Sequence, residues 1–202
     1  MSNLQRKVRV KLKKDWNDFI LGYAQSSSKT IESLVKQADN IERIALDLSS
    51  IVKSGGRIYS CGNGGSACDS MHLTEELVAR YLRDRPGIAA QHLQDSATIT
   101  CWSNDHDYSE VFSRQVETLV KKEDALILFS TSGNSENIIK AAKKASEIRC
   151  LTIAFTGKEG GELKDYCKHN LIVQSGITSH IQEAHITTVH MICDILEQEL
   201  FF

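Results

Sequence analysis

The sequence has little of what divides a chain into separate units or places it in a membrane. Its 202 residues contain one proline, Pro86, and no linker-like stretch rich in proline, glycine or serine. No apolar run approaches the roughly 18 residues that a membrane-spanning helix needs. The N-terminus lacks the apolar core of a signal peptide. We therefore expect a cytoplasmic protein that has no membrane partner.

An excess of charge of either sign is also missing. The chain has 24 lysine and arginine residues against 26 aspartate and glutamate residues, for a formal net charge of −2. This balance excludes a broadly basic nucleic-acid-binding protein, and we do not expect nucleic acid as a partner. Locally, the first fourteen residues carry only basic charges, at Arg6, Lys7, Arg9, Lys11, Lys13 and Lys14. This segment is compatible with a solvated tail, an edge segment in an oligomer or a nucleic-acid contact.

The six cysteines form neither a CxxC pair nor a zinc-finger spacing. Cys61, Cys150 and Cys193 lie in apolar segments. A buried cysteine behaves as a small apolar residue, and disulfides are uncommon in chains that are not exported. The pattern therefore predicts core residues rather than disulfide bridges.

Apolar strands alternate with helices along most of the chain. Helical periodicity runs from Ile31 to Val52 and stops at Gly55 and Gly56. Short apolar runs, most of which end in small-residue turns, then predict strands at 57–61, 88–93, 125–129, 150–155 and 171–173. This alternation predicts an α/β fold, a doubly wound parallel five-stranded sheet flanked by helices, with an N-terminal helical extension. We assign 1–30 to a basic extension and the start of the helical region, and 31–202 to a single domain.

Two of the small-residue turns have the composition of anion-binding loops. The first, at 62–66, reads GNGGS, and the second, at 130–135, reads STSGNS. Glycine lets the backbone approach a ligand closely, and free N–H groups at a helix N-terminus favour phosphate. Neither loop contains lysine or arginine, and neither matches GxGxxG or is followed by GKS or GKT. The two loops favour a phosphorylated ligand over a dinucleotide or a nucleoside triphosphate.

We call the loop at 62–66 the glycine loop. The helix that is predicted after it carries His72 and Glu76. Residues four apart share one face of a helix. An imidazole and a carboxylate at this spacing suit zinc binding or acid–base chemistry, and they also suit a plain solvated pair.

The last predicted helix, at 179–198, contains His180, Gln182, His185 and His190. Isolated histidines on an amphipathic helix are often structural. Eight residues of straight helix give a rise of about 12 Å and an angular offset of roughly 80° between Gln182 and His190. If these two side chains share a site, the helix is irregular or another subunit contributes to the site.

Together these segments resemble the SIS (sugar isomerase) domain and look closest to its phosphoheptose isomerases. The matching stretches are CGNGGSACDSMHLTEELVARY, the Asn104-Asp105 turn with FSRQVE after it, STSGNSENIIKA, TGKEGG and IQEAHITTVHMICDILE. The resemblance implies the SIS fold and isomerisation of sedoheptulose 7-phosphate to D-glycero-D-manno-heptose 7-phosphate through an enediol. Bacterial heptose synthesis, for lipopolysaccharide core or capsule, is the implied pathway.

The resemblance also implies roles for individual residues. Glu76 and His190 would form the acid–base pair, with either one as the base. The substrate would contact Asn63, Gly64, Gly65, Glu76, Asn104, Asp105, Ser130, Thr131, Ser132, Ser135 and Gln182. One zinc ion per subunit would be held by His72, Glu76, Gln182 and His190. The implied assembly is a homotetramer with its sites at subunit interfaces.

One residue departs from the family pattern, and it leaves alternatives open. His180 stands where the family commonly has arginine, so another sugar phosphate is an alternative substrate. A non-catalytic SIS protein that acts by protein contact, like the replication-initiator-associating proteins, is a second alternative. His190 favours an enzyme, because that group tends to lack this histidine. A sugar-phosphate-sensing regulator is disfavoured, since no helix-turn-helix fits before the first long helix.

Overall fold

The computed structural model describes residues 16–202, and the six basic residues at 6–14 lie outside it. Within this range α-helices alternate with β-strands, and short 3₁₀ turns occupy Ser33–Gln37, Tyr108–Glu110 and Leu163–Tyr166. The elements are α1 (Trp16–Glu32), α2 (Ala38–Lys53), β1 (Ile58–Gly62), α3 (Gly65–Val78), β2 (Ala90–His92), α4 (Ser96–Asp105), α5 (Val111–Leu119), β3 (Ala125–Ser130), α6 (Glu136–Ile148), β4 (Leu151–Gly157), β5 (His169–Val173) and α7 (Thr178–Phe201).

The strands form one parallel sheet in the order β2-β1-β3-β4-β5. Ile58 of β1 aligns with Ala125 of β3, and Leu126 of β3 aligns with Thr152 of β4. Every residue of β1 and of β3 is buried. The structure thus confirms the predicted doubly wound, five-stranded α/β sheet.

Two hydrophobic cores lie on opposite faces of the sheet. Ala125, Ile127 and Phe129 of β3 pack with residues of α2, α3 and α7 on one face. Leu126 and Leu128 pack with residues of α5 and α6 on the other. Successive side chains of a strand point to opposite faces, so a strand covered on both sides needs an unbroken apolar run. This requirement explains why the strands were visible in the sequence.

The predicted helical stretch at 31–52 is divided in the structure. Helix α1 already begins at Trp16 and ends at Glu32, and a 3₁₀ turn separates it from α2. The apolar stripe continues through the 3₁₀ turn, where Leu34 is buried, so periodicity did not reveal the break. Phe19, Ile20 and other apolar residues of α1 are exposed, so they do not form an apolar stripe that packs on this core. The start of α1 was therefore not predicted.

Helices α4 and α5 are missing from the sequence prediction. The turn predicted at Asn104-Asp105 is wrong, because these residues are the last two of α4. None of the residues of α4 is fully buried, so the helix has no apolar stripe to detect. Its start is marked instead by Asp95, whose side chain accepts a hydrogen bond from the Thr98 N–H.

The cysteine prediction is confirmed. Cys61, Cys150 and Cys193 are buried, and the thiols of all six cysteines are unpaired. Burial raises the pKa of the Cys150 thiol to about 11.

No helix within 16–202 is long and apolar enough to cross a membrane.

His185 is a core residue of α7 that lies beneath the end of β4. Its side chain is fully buried, its ring lies edge-on to Phe155, and its Nε2 donates to the Thr156 carbonyl at 3.0 Å. Burial penalises the imidazolium form, so the pKa falls to about 4 even though the bond to Thr156 opposes the shift. The folded protein therefore holds His185 neutral at pH values where the unfolded chain protonates it.

We expect the His185→Gln variant to lose less stability on acidification than the wild type. The unfolded state binds the extra proton below pH 6.5, and the folded state does so only near pH 4. Between pH 7.5 and 5, His185 should thus remove roughly 2 kcal/mol from the free energy of unfolding of the wild type and of the His106→Gln control, but not of His185→Gln. Urea unfolding at both pH values measures this difference, with the exposed His106→Gln as control. Equal losses in all three proteins would contradict the assignment.

Candidate active site

The two predicted anion loops lie next to each other at the carboxyl ends of neighbouring strands. The glycine loop follows β1, the hydroxyl loop at 130–135 follows β3, and the two strands are hydrogen-bonded partners. Helix α3 leaves β1 on one face of the sheet, whereas α6 leaves β3 on the other. A crevice opens where the strand order reverses in this way, and ligands of open α/β sheets bind there.

A reciprocal pair of side-chain amides joins the two loops. Asn63 of the glycine loop donates from Nδ2 to Oδ1 of Asn137 at 2.8 Å. Asn137, at the start of α6, donates back to Oδ1 of Asn63 at 2.9 Å. The hydroxyl of Tyr108 also donates to that oxygen, at 2.8 Å. Asn63 is therefore held in one orientation across the crevice.

The hydroxyl loop places free donors at the N-terminus of a 13-residue helix. Ser135 is the N-cap of α6, and its side chain makes no capping hydrogen bond to the helix. The Ser130 hydroxyl lies 3.3 Å from that of Ser135, and the Ser132 hydroxyl accepts from the Asn134 N–H. Thr131, between them, is half-buried. Uncapped helix N–H groups with adjacent hydroxyls suit a phosphate group.

Backbone-to-backbone packing fixes the shape of the hydroxyl loop. Gly133 has a positive φ of 65°, and a Cβ built there would lie 1.9 Å from the Gly160 carbonyl oxygen. The Leu163 N–H donates to the Gly133 carbonyl at 2.9 Å. The loop after β3 therefore rests directly on the loop after β4, where the TGKEGG stretch lies.

The glycine loop opens toward the last helix. Gly64, with a φ of 57°, is the N-cap of α3, and it too provides no side-chain cap. A Cβ at Gly65 would lie 2.4 Å from Nε2 of Gln182, so glycine allows the close approach of α7. Gln182 also shares a pocket with Cys68 and His72. The start of α3 and the start of α7 thus border one small cavity.

Three potential ligand atoms converge between α3 and α7. Nε2 of His72 lies 3.0 Å from Oε1 of Glu76 and 3.3 Å from Nε2 of His190. One ligand atom from each residue lies within 4.8 Å of the other two. These three residues converge within one chain, and α7 is continuous from Thr178 to Phe201; the cluster does not include Gln182.

This donor set fits a zinc ion. Zinc binds imidazole nitrogen and carboxylate oxygen, and a catalytic site combines three such protein ligands with an open position. An imidazole nitrogen carries at most one hydrogen, so Nε2 of His72 cannot donate to both Oε1 of Glu76 and Nε2 of His190. A shared cation satisfies all three. Gln182, beside His72 in the pocket, is the fourth predicted ligand.

Asp69 is a buried carboxyl group beside His72 that sequence reasoning missed. It is 8% exposed and lines the same pocket as Gln182, and its Oδ2 has no hydrogen-bond partner among residues 16–202. Burial raises its pKa to about 7, although the nearby His72 opposes the shift. Burial therefore favours the neutral form of this carboxyl group.

The remaining predicted residues occupy different surroundings. Asn104 and Asp105 are exposed and bond to each other, since Asn104 Nδ2 donates to Asp105 Oδ1 at 2.8 Å. His180 is 1% exposed, and its Nδ1 lies 3.1 Å from Oε2 of Glu183. Tyr23 of α1 packs edge-on against the His180 ring. His180 thus joins α1 to α7.

Asn137 and Tyr108 were also missed, although a signal existed for Asn137. It lies in the first turn of the helix that follows the hydroxyl loop, where a polar side chain faces the loop. Tyr108 lies outside every periodic segment, in a 3₁₀ turn, and no local pattern relates it to Asn63.

Comparison with known proteins agrees with this geometry. The family model for the SIS domain matches residues 22–157. The phosphoheptose isomerase of Clostridium acetobutylicum is 45% identical over 188 residues, which cover 91% of this chain and 96% of the relative. That of Proteus mirabilis is 41% identical over 189 residues, covering 92% and 98%.

Solved structures give the same result. The phosphoheptose isomerase of Francisella tularensis superimposes with a TM-score of 0.86 at 34% identity, covering 90% of this chain and 97% of that one. The enzyme of Neisseria gonorrhoeae has a TM-score of 0.85 at 32% identity, with coverages of 91% and 99%. The chain belongs to the SIS domain family and, within it, to the phosphoheptose isomerases.

Proposed function

We propose that this chain isomerises sedoheptulose 7-phosphate to D-glycero-D-manno-heptose 7-phosphate for bacterial heptose synthesis. The observation that carries the proposal is the cluster of His72, Glu76 and His190 on α3 and α7, the two helices that meet at Gly65 of the glycine loop. The relatives named phosphoheptose isomerase support the substrate.

The distance between the glycine loop and the cluster suits a long sugar phosphate. His72 lies seven residues after Gly65, or about 10 Å along the axis of α3. A seven-carbon ketose 7-phosphate carries its phosphate and its reacting C1–C2 pair at opposite ends. The phosphate would accept hydrogen bonds from the hydroxyl loop and the start of α6 while C1 and C2 lie near the cluster.

The reaction moves two protons between adjacent atoms. We assign the Glu76 carboxylate to the C–H bonds: it takes a proton from C1, leaving an enediol, and returns a proton to C2. We assign His190 to the oxygens, where it carries a proton from the C1 hydroxyl to the C2 oxygen. Oε1 of Glu76 points at His72, which leaves Oε2 for the proton. When bound, zinc would polarise the substrate oxygens as a Lewis acid.

We further propose that the protein forms a homotetramer in the cytoplasm. Trp16, Ile20 and Leu21 of α1 are each more than half exposed. Beside them an open apolar groove of about 1040 Å³ lies between α1, α2 and α7. Contiguous apolar surface of this kind is typical of subunit interfaces. The exposed, unpaired thiols of Cys68 and Cys101 support a reducing compartment.

We expect the zinc-loaded protein to convert sedoheptulose 7-phosphate to an aldoheptose 7-phosphate in D₂O, with deuterium at C2, as followed by proton NMR. Glu76→Gln should lower kcat about 10²- to 10⁴-fold, because an amide cannot accept the C1 proton. The neighbouring exposed Glu75→Gln is the matched control and should keep wild-type activity. A folded Glu76→Gln protein with normal turnover would remove Glu76 from the mechanism. An inert wild type would overturn the proposed substrate.

We expect metal-stripped protein to rebind one zinc ion per chain. Loss of either imidazole, in His72→Ala or His190→Ala, should weaken zinc roughly tenfold or more, since each removes a ligand of a three- or four-ligand site. Competition with a chromophoric chelator measures the affinity. His106→Ala, which removes an imidazole that stacks on Trp102 instead, should bind zinc like the wild type. Unchanged affinity in both cluster variants would contradict the assignment.

We expect light scattering coupled to size exclusion to give a mass of about 90 kDa, four times the 22.5 kDa of one chain. Ile20→Asp places a charge in the exposed apolar face of α1 and should produce smaller species. Lys122→Asp, in the loop before β3, should stay tetrameric. A monomeric wild type would overturn the proposed assembly.

A further inference from the structure

Glu197 is a fully buried carboxylate on α7 that has no part in the mechanism above. Its Oε1 accepts from the Tyr81 N–H at 3.0 Å, and its Oε2 accepts from the N–H groups of Leu82 and Arg83 at 3.2 and 3.0 Å. Three consecutive backbone N–H groups therefore enclose one anion, as in the nests that bind phosphate. This contact fixes the segment that follows α3.

Arg85 connects the same carboxylate to the end of α3. Its side chain is 1% exposed, and its Nε donates to Oε1 of Glu197 at 3.0 Å. Its Nη2 donates to the Glu76 carbonyl at 2.7 Å, and its Nη1 donates to the Leu77 carbonyl at 2.8 Å. The last carbonyls of a helix have no partner within the helix. Arg85 thus caps α3 at the residue that carries the proposed base.

Tyr81 connects Glu197 to the other catalytic residue. Its ring stacks on His190, with ring centroids 5.5 Å apart and planes inclined by 15°. Glu197 lies seven residues after His190, two turns along α7, and so shares its face of the helix. The carboxylate that holds the Tyr81 backbone therefore also sets the ring against His190.

We propose that Glu197 and Arg85 are positioning residues, which fix the end of α3 against α7 and thereby hold Glu76 and His190 in their relative geometry. The inference rests on the proposed function of those two side chains. A buried ion pair often contributes little net stability compared with apolar residues of similar volume, because both charges must leave water. This pair instead supplies hydrogen bonds of defined direction. Arg85 donates to the Glu76 carbonyl, and Glu197 holds the backbone of Tyr81, whose ring stacks on His190.

The test compares kcat, KM and zinc affinity in matched variants. Arg85→Lys keeps the charge but cannot bond the carboxylate and both carbonyls together, and Glu197→Asp shortens the reach by one methylene. In each, we expect kcat and zinc affinity to fall about tenfold, the size seen when residues that support metal ligands are changed. KM should stay within twofold, because the phosphate loops lie on β1 and β3. The control is Glu199→Gln, an exposed α7 carboxylate 3.5 Å from Lys53, which should change none of these quantities.

A second pair of variants covers the case in which the buried changes unfold the protein. Tyr81→Phe keeps the ring on His190 and should keep wild-type kcat, whereas Tyr81→Leu removes the ring and should lower kcat with little change in KM. If Arg85→Lys and Glu197→Asp lower only the melting temperature and leave kcat and zinc affinity unchanged, the two residues are structural and the inference is wrong. Equal kcat in both Tyr81 variants would also overturn it.

The two proposals fail in distinguishable ways. A wild type that binds zinc but leaves sedoheptulose 7-phosphate unchanged overturns the proposed function alone. In that case, the zinc affinity of Arg85→Lys relative to Glu199→Gln still supports or overturns the inference. A folded wild type that shows neither activity nor zinc binding overturns both.

Discussion

The packing of α7 against α3 is the contact on which the site depends. Helix α3 brings His72 and Glu76, and α7 brings His190, more than a hundred residues later in the chain. Leu73 of α3 and Val189 of α7 are buried in the same core, each one residue from a member of the cluster. Apolar packing therefore brings the two helices together, and the polar cluster lies along the edge of that packing.

The site divides its work between two kinds of element. Loops at the ends of β1 and β3 provide backbone and hydroxyl donors, which suit a group that needs only to be held. Helices provide the titratable side chains, whose relative positions must be fixed more precisely than those of the loop donors. The glycines serve the boundary between them, because Gly65 lets α7 approach the start of α3 closely enough for Gln182 to share the pocket of His72.

The sequence predicted the sheet and both loops correctly, because these depend on local pattern. A strand that is covered on both faces must be continuously apolar, and a tight turn before a helix needs small residues. The sequence-based prediction failed where the structure depends on contacts between residues that are far apart in the chain. The two helices that flank 108–110 were not found, and helix α4 lacks a buried residue. The hydrogen bond from Tyr108 to Asn63 spans 45 positions and has no periodic signal.

The candidate ligands illustrate the same limit. The spacing of His72 and Glu76 placed them on one face of a helix, and the structure confirms that they are in contact. Helical geometry alone could not decide whether His190 joins them, because that depends on the register between α3 and α7. This register is set by long-range contacts such as that of Glu197 with the segment after α3. No repeat or spacing in the sequence indicates that Glu197 is buried and bonded to this segment.

The amide pair between the two loops limits how their sequences can change. Asn137 is 3% exposed, so replacing Asn63 alone by an apolar residue leaves a buried amide without its partner. The same penalty applies in reverse, and it is avoided only when both positions change together. Asn63 and Asn137 therefore behave as one unit of variation, although 74 positions separate them. A substitution on one side of the crevice is therefore coupled, through this pair, to the residue on the other side.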